Sequence, residues 1–363
     1  MATSTLQAAK LAKNDEFYTQ RPDIEKELRH YKEQFNGKVV YCNCDDPYES
    51  YFFQYFAANF NALKLKKLIA TSYVPSPIAW TQLALSGIGE PKQKIETVSR
   101  SAQNGDMQAW KFEISEVVDE DLNGAVDLKD IAIQLKANKK NELVPIGGKG
   151  DFRSPECIDL LKQADIVCTN PPFSLFREYV AQLIDHNKKF LIIGNDNAIA
   201  YKEFFKYIKE NKIWTGYNRV KEFRQPDGTI KKFGNVGWYT NLDTTKRHEK
   251  ITPYKKYNPE EYPKYHNYDA IEVSKVADIP ADYDGEMGVP ITFLDKYNPD
   301  QFEIIGSSRN LSKPIETSNG LVYRYKDRNG YMRQAANERF CLPDGDTWRQ
   351  LYDRVVIKRK KGK

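Results

Sequence analysis

Apolar positions recur at helical spacing over residues 23–35 (DIEKELRHYKEQF), and Pro22 just ahead of them is a helix start signal. An unbroken apolar run at 38–42 (KVVYC) then predicts a short buried strand. Asp45, Asp46 and Pro47 supply a cap and first turn for an aromatic-rich helix over 48–60, and residues 67–70 predict a second strand. Strand, helix, strand with short links is the opening of an α/β fold whose parallel sheet is covered on both faces.

The alternation lapses between Pro75 and about Gly150. This stretch is polar, with turn signals at Asn104-Gly105 and Asn123-Gly124 and an acidic patch from Glu113 to Asp130. It reads as an insertion over about 75–148, holding one strand near 110–114 and one helix near 126–138. Alternation resumes with a helix at 155–163, a strand at 165–169, a helix at 175–186, a strand at 190–193, a helix at 201–210 and a strand at 212–215. Only a turn-rich segment around Pro226-Asp227-Gly228 separates that strand from the next, at 236–240, so the two are expected to pair antiparallel. Beyond Asp243 the chain is rich in Tyr, Pro and Lys without a helical period, which marks a second, irregular region. No internal repeat is present.

A chain of 363 residues with 40% hydrophobic residues buries a full core and has room for about two domains. No apolar run reaches membrane-spanning length, and Met1 to Lys13 carries no apolar signal core, so a cytoplasmic protein without a membrane partner is expected. Cys42, Cys44, Cys157, Cys168 and Cys341 form no Cys-x-x-Cys pair and lie far from the histidines, which speaks against disulfides and zinc; no metal site is expected. A net charge of +5 permits a polyanionic partner without requiring one. The last stretch is strongly basic, with Arg349, Arg354, Lys358, Arg359, Lys360, Lys361 and Lys363 around an apolar Val355-Val356-Ile357. It reads as a strand running into a tail that either contacts phosphates or is a solvated terminus.

The chemistry concentrates at Asp165-Ile-Val-Cys-Thr-Asn170-Pro171-Pro172-Phe173, where a buried strand stops at Asn170 and two prolines stiffen the exit. Ligands in open α/β sheets bind at the carboxyl ends of strands. The exocyclic amino group of a base is a poor nucleophile because its lone pair is delocalised into the ring. The side-chain oxygen of Asn170 and the carbonyl of Pro171 can each accept one amino hydrogen and so aim the lone pair at an electrophilic methyl group. Proline suits the task because its fixed φ and missing N–H hold that carbonyl outward. Phe173 offers a flat face for a base lifted out of a duplex. The bland alternative is a tight turn with Phe173 as core filler.

Asn-Pro-Pro-Phe after a strand resembles the signature of amino-group methyltransferases, and its wider setting from Thr169 to Tyr179 resembles the EcoRI-type adenine-specific DNA methyltransferases. Similar segments are Asp15-Glu-Phe-Tyr-Thr-Gln20, Val39-Val-Tyr-Cys-Asn-Cys-Asp-Asp-Pro47, Gly150-Asp-Phe-Arg-Ser154, Lys188-Lys-Phe-Leu-Ile-Ile193, Trp238 to Asp243 and Asp284 to Leu294. The likeness weakens over 76–148, over 217–235 and over the last part of the chain.

The resemblance implies a Rossmann-like class I methyltransferase sheet, mostly parallel with an antiparallel terminal strand pair, plus an insertion and a smaller C-terminal region. It places the methyltransferase core at 14–243 and an irregular region for DNA contact and target recognition at 244–363. The implied activity is methyl transfer from S-adenosylmethionine to N6 of a flipped adenine in double-stranded DNA, as part of restriction-modification or as an orphan modification. It implies a monomer, with any cognate restriction endonuclease acting on the same site without a stable complex. Asn170, Pro171, Pro172 and Phe173 become the catalytic loop. Phe17, Tyr18 and Thr19 become the N-terminal cofactor motif, against the alternative of a hydrophobic staple for the next helix.

Asn43 and Asp45 or Asp46 follow the first strand, where one aspartate can pair with the cofactor ammonium and the other cap a helix. That loop has no glycine, but S-adenosylmethionine carries no phosphate to cradle. Asp151 accepts the amino group of the cofactor's adenine, or is a turn residue, and Phe152 packs on the ring. Arg219, Lys221 and Arg224 are candidates for reading base edges, while Trp238 and Tyr239 either flank the flipped base or fill the core. Two rivals stand beside this reading: an amino-group methyltransferase for RNA, protein glutamine or cytosine N4, and a DNA-binding module without catalysis.

Overall fold

A computed structural model of the protein describes residues 18–44, 51–72, 109–123, 130–131, 133–134, 140–224, 229–313, 324–326, 332–334, 339–344 and 347–360. Strand β1 (Tyr18–Thr19) leads directly into helix α1 (Arg21–Leu28), which has proline in its first turn. The helix stops earlier than its apolar period suggests and tightens into a 3-10 turn at Lys32–Phe35. Ile24, Leu28, Tyr31 and Phe35 nevertheless stay on one buried face, so the period reports burial rather than unbroken helix.

Strands β2 (Val39–Cys42) and β3 (Lys67–Thr71) flank helix α2 (Tyr51–Ala58). Then come β4 (Ala109–Ile114), β5 (Glu142–Ile146), α3 (Pro155–Gln163), β6 (Ile166–Thr169), α4 (Phe176–Asp185), β7 (Lys189–Asn195), α5 (Lys202–Lys209) and β8 (Trp214–Arg219). A hairpin of β9 (Glu222–Arg224) and β10 (Ile230–Lys232) precedes β11 (Val236–Thr240).

One sheet of eight strands carries this part of the chain in the order β5-β4-β3-β2-β6-β7-β11-β8. Strands β3, β2, β6 and β7 are mutually parallel in that order, and β11 runs antiparallel to β7. The two strands expected to pair, β8 and β11, are indeed neighbours at one end. Every residue of β2 and β6 is buried, as strands covered on both faces require.

The polar stretch is less of an insertion than its composition suggests. Strands β4 and β5 extend the central sheet antiparallel beyond β3. The sequence pattern foretold β4 but not β5, whose residues are exposed or half-buried and include Pro145. Proline is tolerated there because β5 is an edge strand. Of the helix expected at 126–138, only Asp130, Ile131, Ile133 and Gln134 are described, and all four are helical.

By contacts the chain divides into two units, Met1–Asp196 with Gly216–Leu242, and Asn197–Thr215 with Asp243–Lys363. The segment Asn197–Thr215, which the sequence pattern places in the core, therefore packs with the second unit. Its phenylalanines Phe204 and Phe205 and Ile208 are buried there. The second unit holds β12 (Ile271–Glu272), β13 (Met287–Pro290), β14 (Phe302–Ser307), two short hairpins of β15 (Arg324–Lys326) with β16 (Met332–Gln334) and β17 (Cys341–Asp344) with β18 (Thr347–Gln350), and β19 (Arg354–Arg359). Its main sheet has the order β12-β13-β19-β14.

The expected C-terminal strand is thus real and central, with Val355, Val356 and Ile357 fully buried. Arg354 does not belong to a basic tail: its guanidinium sits 2.7 Å from the carboxylate of buried Glu272, whose other oxygen accepts from Tyr265. Among the described residues, no helix is long and apolar enough to cross a membrane.

Candidate active site

The carboxyl ends of β2, β3 and β6 meet in one place. The backbone N–H of Cys44, just past β2, donates to Thr169 Oγ1 at the end of β6 (3.2 Å). Thr71 Oγ1, ending β3, accepts or donates with the Tyr41 hydroxyl at 3.1 Å. Gly150 closes onto the same spot with φ +72°, and a Cβ there would lie 1.9 Å from the Ser72 carbonyl oxygen, so only glycine fits. Gly150 thereby brings the turn ahead of α3 against the end of β3.

Asn43 is buried at this junction, 2% exposed. Its Oδ1 accepts the hydroxyl of Tyr179, a fully buried residue of α4, whereas its Nδ2 has no hydrogen-bond partner among the described residues. A buried N–H donor left unpaired is costly unless a ligand completes it. Tyr179 ends the family-like stretch that begins at Thr169, but nothing in the sequence marks it as a partner of Asn43; the packing of α4 brings it to the end of β2.

Asp151 opens the turn ahead of α3, whose N-cap is Ser154. One oxygen accepts the Arg153 backbone N–H at 2.9 Å and the other lies 2.6 Å from Arg153 Nη2. The Arg153 guanidinium holds the Asp151 carboxyl below the usual carboxylate range, against the opposing effect of burial. Arg153 also reaches Glu178 on α4 at 3.4 Å. Asp151 is thus both the turn residue and an ionised carboxylate at the site edge. Phe152 is buried edge-on to Tyr179, with ring centroids 5.1 Å apart, and its carbonyl accepts from Gln182 Nε2 at 3.1 Å.

Asn170 follows β6 half-buried, Pro171 is buried, and Pro172 and Phe173 are half-buried. The Pro172 carbonyl accepts from Leu175 N–H at 2.9 Å, closing a 3-10 turn over Phe173–Leu175 that launches α4. The Phe173 ring meets Phe223 and Phe233 edge-to-face, with centroids 6.1 and 6.0 Å away. Phe223 lies on β9, the middle strand of a small sheet whose other strands are β10 and β1. In that sheet Thr19 pairs with Phe223 and Tyr18 with Arg224. The Tyr18-Thr19 strand and the Asn170–Phe173 loop, 151 positions apart from Thr19 to Asn170, are therefore joined through the β9–β10 hairpin and Phe233.

Thr19 is buried, and its hydroxyl has no partner among the described residues. Phe17, Asp45 and Asp46 lie outside the described residues. Arg219 is engaged by Asp196, with both carboxylate oxygens 2.6 Å from Nη1, while Lys221 is exposed and Arg224 half-buried. Trp238 and Tyr239 are core residues, packed on Phe52 and Phe176 respectively.

A mostly parallel central sheet with antiparallel pairing toward both ends, and an Asn-Pro-Pro-Phe loop at the tip of a central strand, is consistent with a class I methyltransferase. The sequence profile of the family described as adenine-specific methyltransferase EcoRI matches residues 5–360. The chain is 46% identical over 336 residues to the Type II methyltransferase M.EcoRI of Escherichia coli, covering 87% of this chain and 92% of that one. It is 35% identical over 375 residues to the Type II methyltransferase M.MgeORF184P of Mycoplasma genitalium, covering 97% and 98%. To the Type II methyltransferase M.MpnI of Mycoplasma pneumoniae it is 34% identical over 373 residues, covering 97% of each. No solved structure matches the chain. The protein belongs to the EcoRI family of adenine-specific DNA methyltransferases.

Proposed function

We propose that the protein transfers a methyl group from S-adenosylmethionine to the N6 amino group of an adenine flipped out of a specific double-stranded DNA site. The observation that carries this reading is the junction of the Asn170 loop with the Asn43 loop at the carboxyl ends of adjacent parallel strands. In this reading Asn170 and Pro171 supply the amino-group acceptors on one side of that junction, and on the other stands Asn43 Nδ2, buried without a partner among the described residues.

The residues present fit the cofactor. Asn43 Nδ2, without a partner among the described residues, is a donor suited to a carboxylate, the ionised Asp151 is an acceptor suited to an adenine amino group, and Phe152 supplies apolar wall beside it. Phe17, Tyr18, Thr19 and one of Asp45 and Asp46 complete the binding loop in this reading. When bound, S-adenosylmethionine supplies an electrophilic methyl group on a positively charged sulfur. Asn170 and Pro171 accept the two N6 hydrogens and direct the nitrogen lone pair, Pro172 fixes the turn, and Phe173 stacks on the base. No early general base is required, because the amino group becomes acidic as it is methylated.

Residues 14–243 carry the catalytic machinery, although Asn197–Thr215 among them pack with the second unit, and residues 244–363 contact DNA outside the target base. The enzyme acts as a cytoplasmic monomer, and any companion endonuclease reads the same site without stable association. Modified-base sequencing of DNA from cells expressing the protein tests the proposal. It should report N6-methyladenine within one short recurrent sequence; methylcytosine, or methyladenine without a shared context, would overturn it.

A further inference from the structure

The acidic stretch at the end of β4 contains a regular spacing that methyl transfer does not use. Residues 119–130 read Asp-Glu-Asp-Leu-Asn-Gly-Ala-Val-Asp-Leu-Lys-Asp. Oxygen-bearing side chains stand at the first, third, fifth, ninth and twelfth places, glycine at the sixth and an apolar residue at the eighth. That is the order of the twelve-residue calcium loop, in which alternate residues turn their oxygens inward and the sixth position must bend sharply. An acidic patch selected only for solubility has no reason to place glycine and valine at those positions. The one departure is aspartate for glutamate at the twelfth place.

The fold supplies a separate observation. Carboxylate oxygens of Asp119, Asp121 and Asp130 all lie within 4.8 Å of one another. Oxygens bound to one calcium ion at about 2.3–2.6 Å are at most about 5 Å apart, so these three satisfy the distance that shared coordination demands. Asp130 is fully buried, although it is the residue farthest along the loop, and Asp121 is exposed. Three carboxylates this close repel one another, and a divalent cation among them turns the repulsion into attraction.

We propose that Asp119, Asp121, Asn123 and Asp130 form a calcium site that ties down the connection between β4 and β5 at the edge of the central sheet. The ligands are all hard oxygens, which favours calcium over zinc or copper. A ring of three carboxylates and an amide accepts the variable geometry of calcium more readily than the strict octahedron of magnesium. Aspartate at the twelfth place reaches less far than glutamate and donates one oxygen more readily than two. The affinity therefore belongs to the weaker part of the calcium-loop range, on the order of 10⁻⁵–10⁻³ M.

The test is calorimetry and thermal unfolding of the full-length protein after stripping with a chelator, with calcium chloride alone as titrant. One ion per chain should bind, and the melting temperature should rise by several degrees. Asp121→Ala, at an exposed position, should weaken calcium binding at least tenfold while its circular dichroism spectrum and methyl transfer without calcium match the parent. Asp130→Ala, at a buried position, should lose calcium binding as well, and Asp121→Ala keeps the test decisive if that variant does not fold. Absence of heat and of a melting shift at millimolar calcium would overturn the proposal. So would unchanged calcium affinity in the Asp121→Ala protein, or an equal melting shift from magnesium at the same concentration.

Discussion

Asn43 and Asp151 show how the partners of a single side chain bear on what a site can bind. The Asn43 amide has one end bonded to Tyr179 and the other end buried without a partner among the described residues, an arrangement that makes sense when a ligand completes it. Asn43→Ala should raise the dissociation constant for S-adenosylmethionine at least tenfold, about 1.4 kcal/mol, with DNA binding little changed; calorimetry with each ligand separately reads the difference. Asp151 is held ionised by Arg153, so its folded pKa lies below the unfolded value near ~3.9. Its contribution to stability is therefore complete above that value and disappears as pH falls through the lower folded one. The melting-temperature gap between the parent and Asp151→Asn should hold from neutral pH down to about pH 5 and close below about pH 4. A gap that widened in acid would contradict the ion pair.

At the scale of elements, the strands that build the site were legible because they are buried on both faces. Strands β2, β6 and β7 appear in the sequence as unbroken apolar runs, and the structure places them side by side. Strands β5, β9 and β10 were not legible. Strands β9 and β10 have three residues each, β10 is exposed, β5 is only partly buried and contains Pro145, and β9 also pairs with β1, far away in sequence. The hairpin was expected to carry DNA-reading side chains, yet it also packs inward, from Phe223 to Phe173. Edge-to-face ring pairs contribute about 0.5–1.5 kcal/mol each and fix orientation as well. Phe223→Leu keeps apolar bulk and removes the ring contacts. It should raise KM for DNA several-fold while cofactor affinity stays within about twofold, a split that steady-state kinetics with each substrate varied can detect. Equal loss for both substrates would mean that the hairpin serves stability alone.

At the scale of the whole molecule, chemistry and charge are divided unequally. Most of the motifs that suggested the family lie in the first unit or at its border, with Asp284 to Leu294 in the second, whereas the basic residues crowd toward the C-terminus. Part of that crowding is structural, since Arg354 is buried against Glu272, and Arg309 and Arg339 share Asp353. A basic count taken from the sequence therefore overstates the charge offered to phosphates, because pairing partners come from distant strands. Lys358 and Lys360 are exposed, and binding to duplex DNA should still weaken steeply with salt, in a linear relation of log affinity to log salt concentration. A fluorescence-anisotropy series over salt should give a slope well below −1; a flat response would remove the phosphate-contact role.

The Asn170 loop is where every level of the account converges, and a single-turnover assay of purified protein with duplex DNA and radiolabelled S-adenosylmethionine tests it most directly. The parent should place label on adenine N6, while Asn170→Ala should bind cofactor normally and transfer methyl groups at least about 100-fold more slowly. Undiminished transfer by Asn170→Ala, or label recovered on cytosine, would contradict the account.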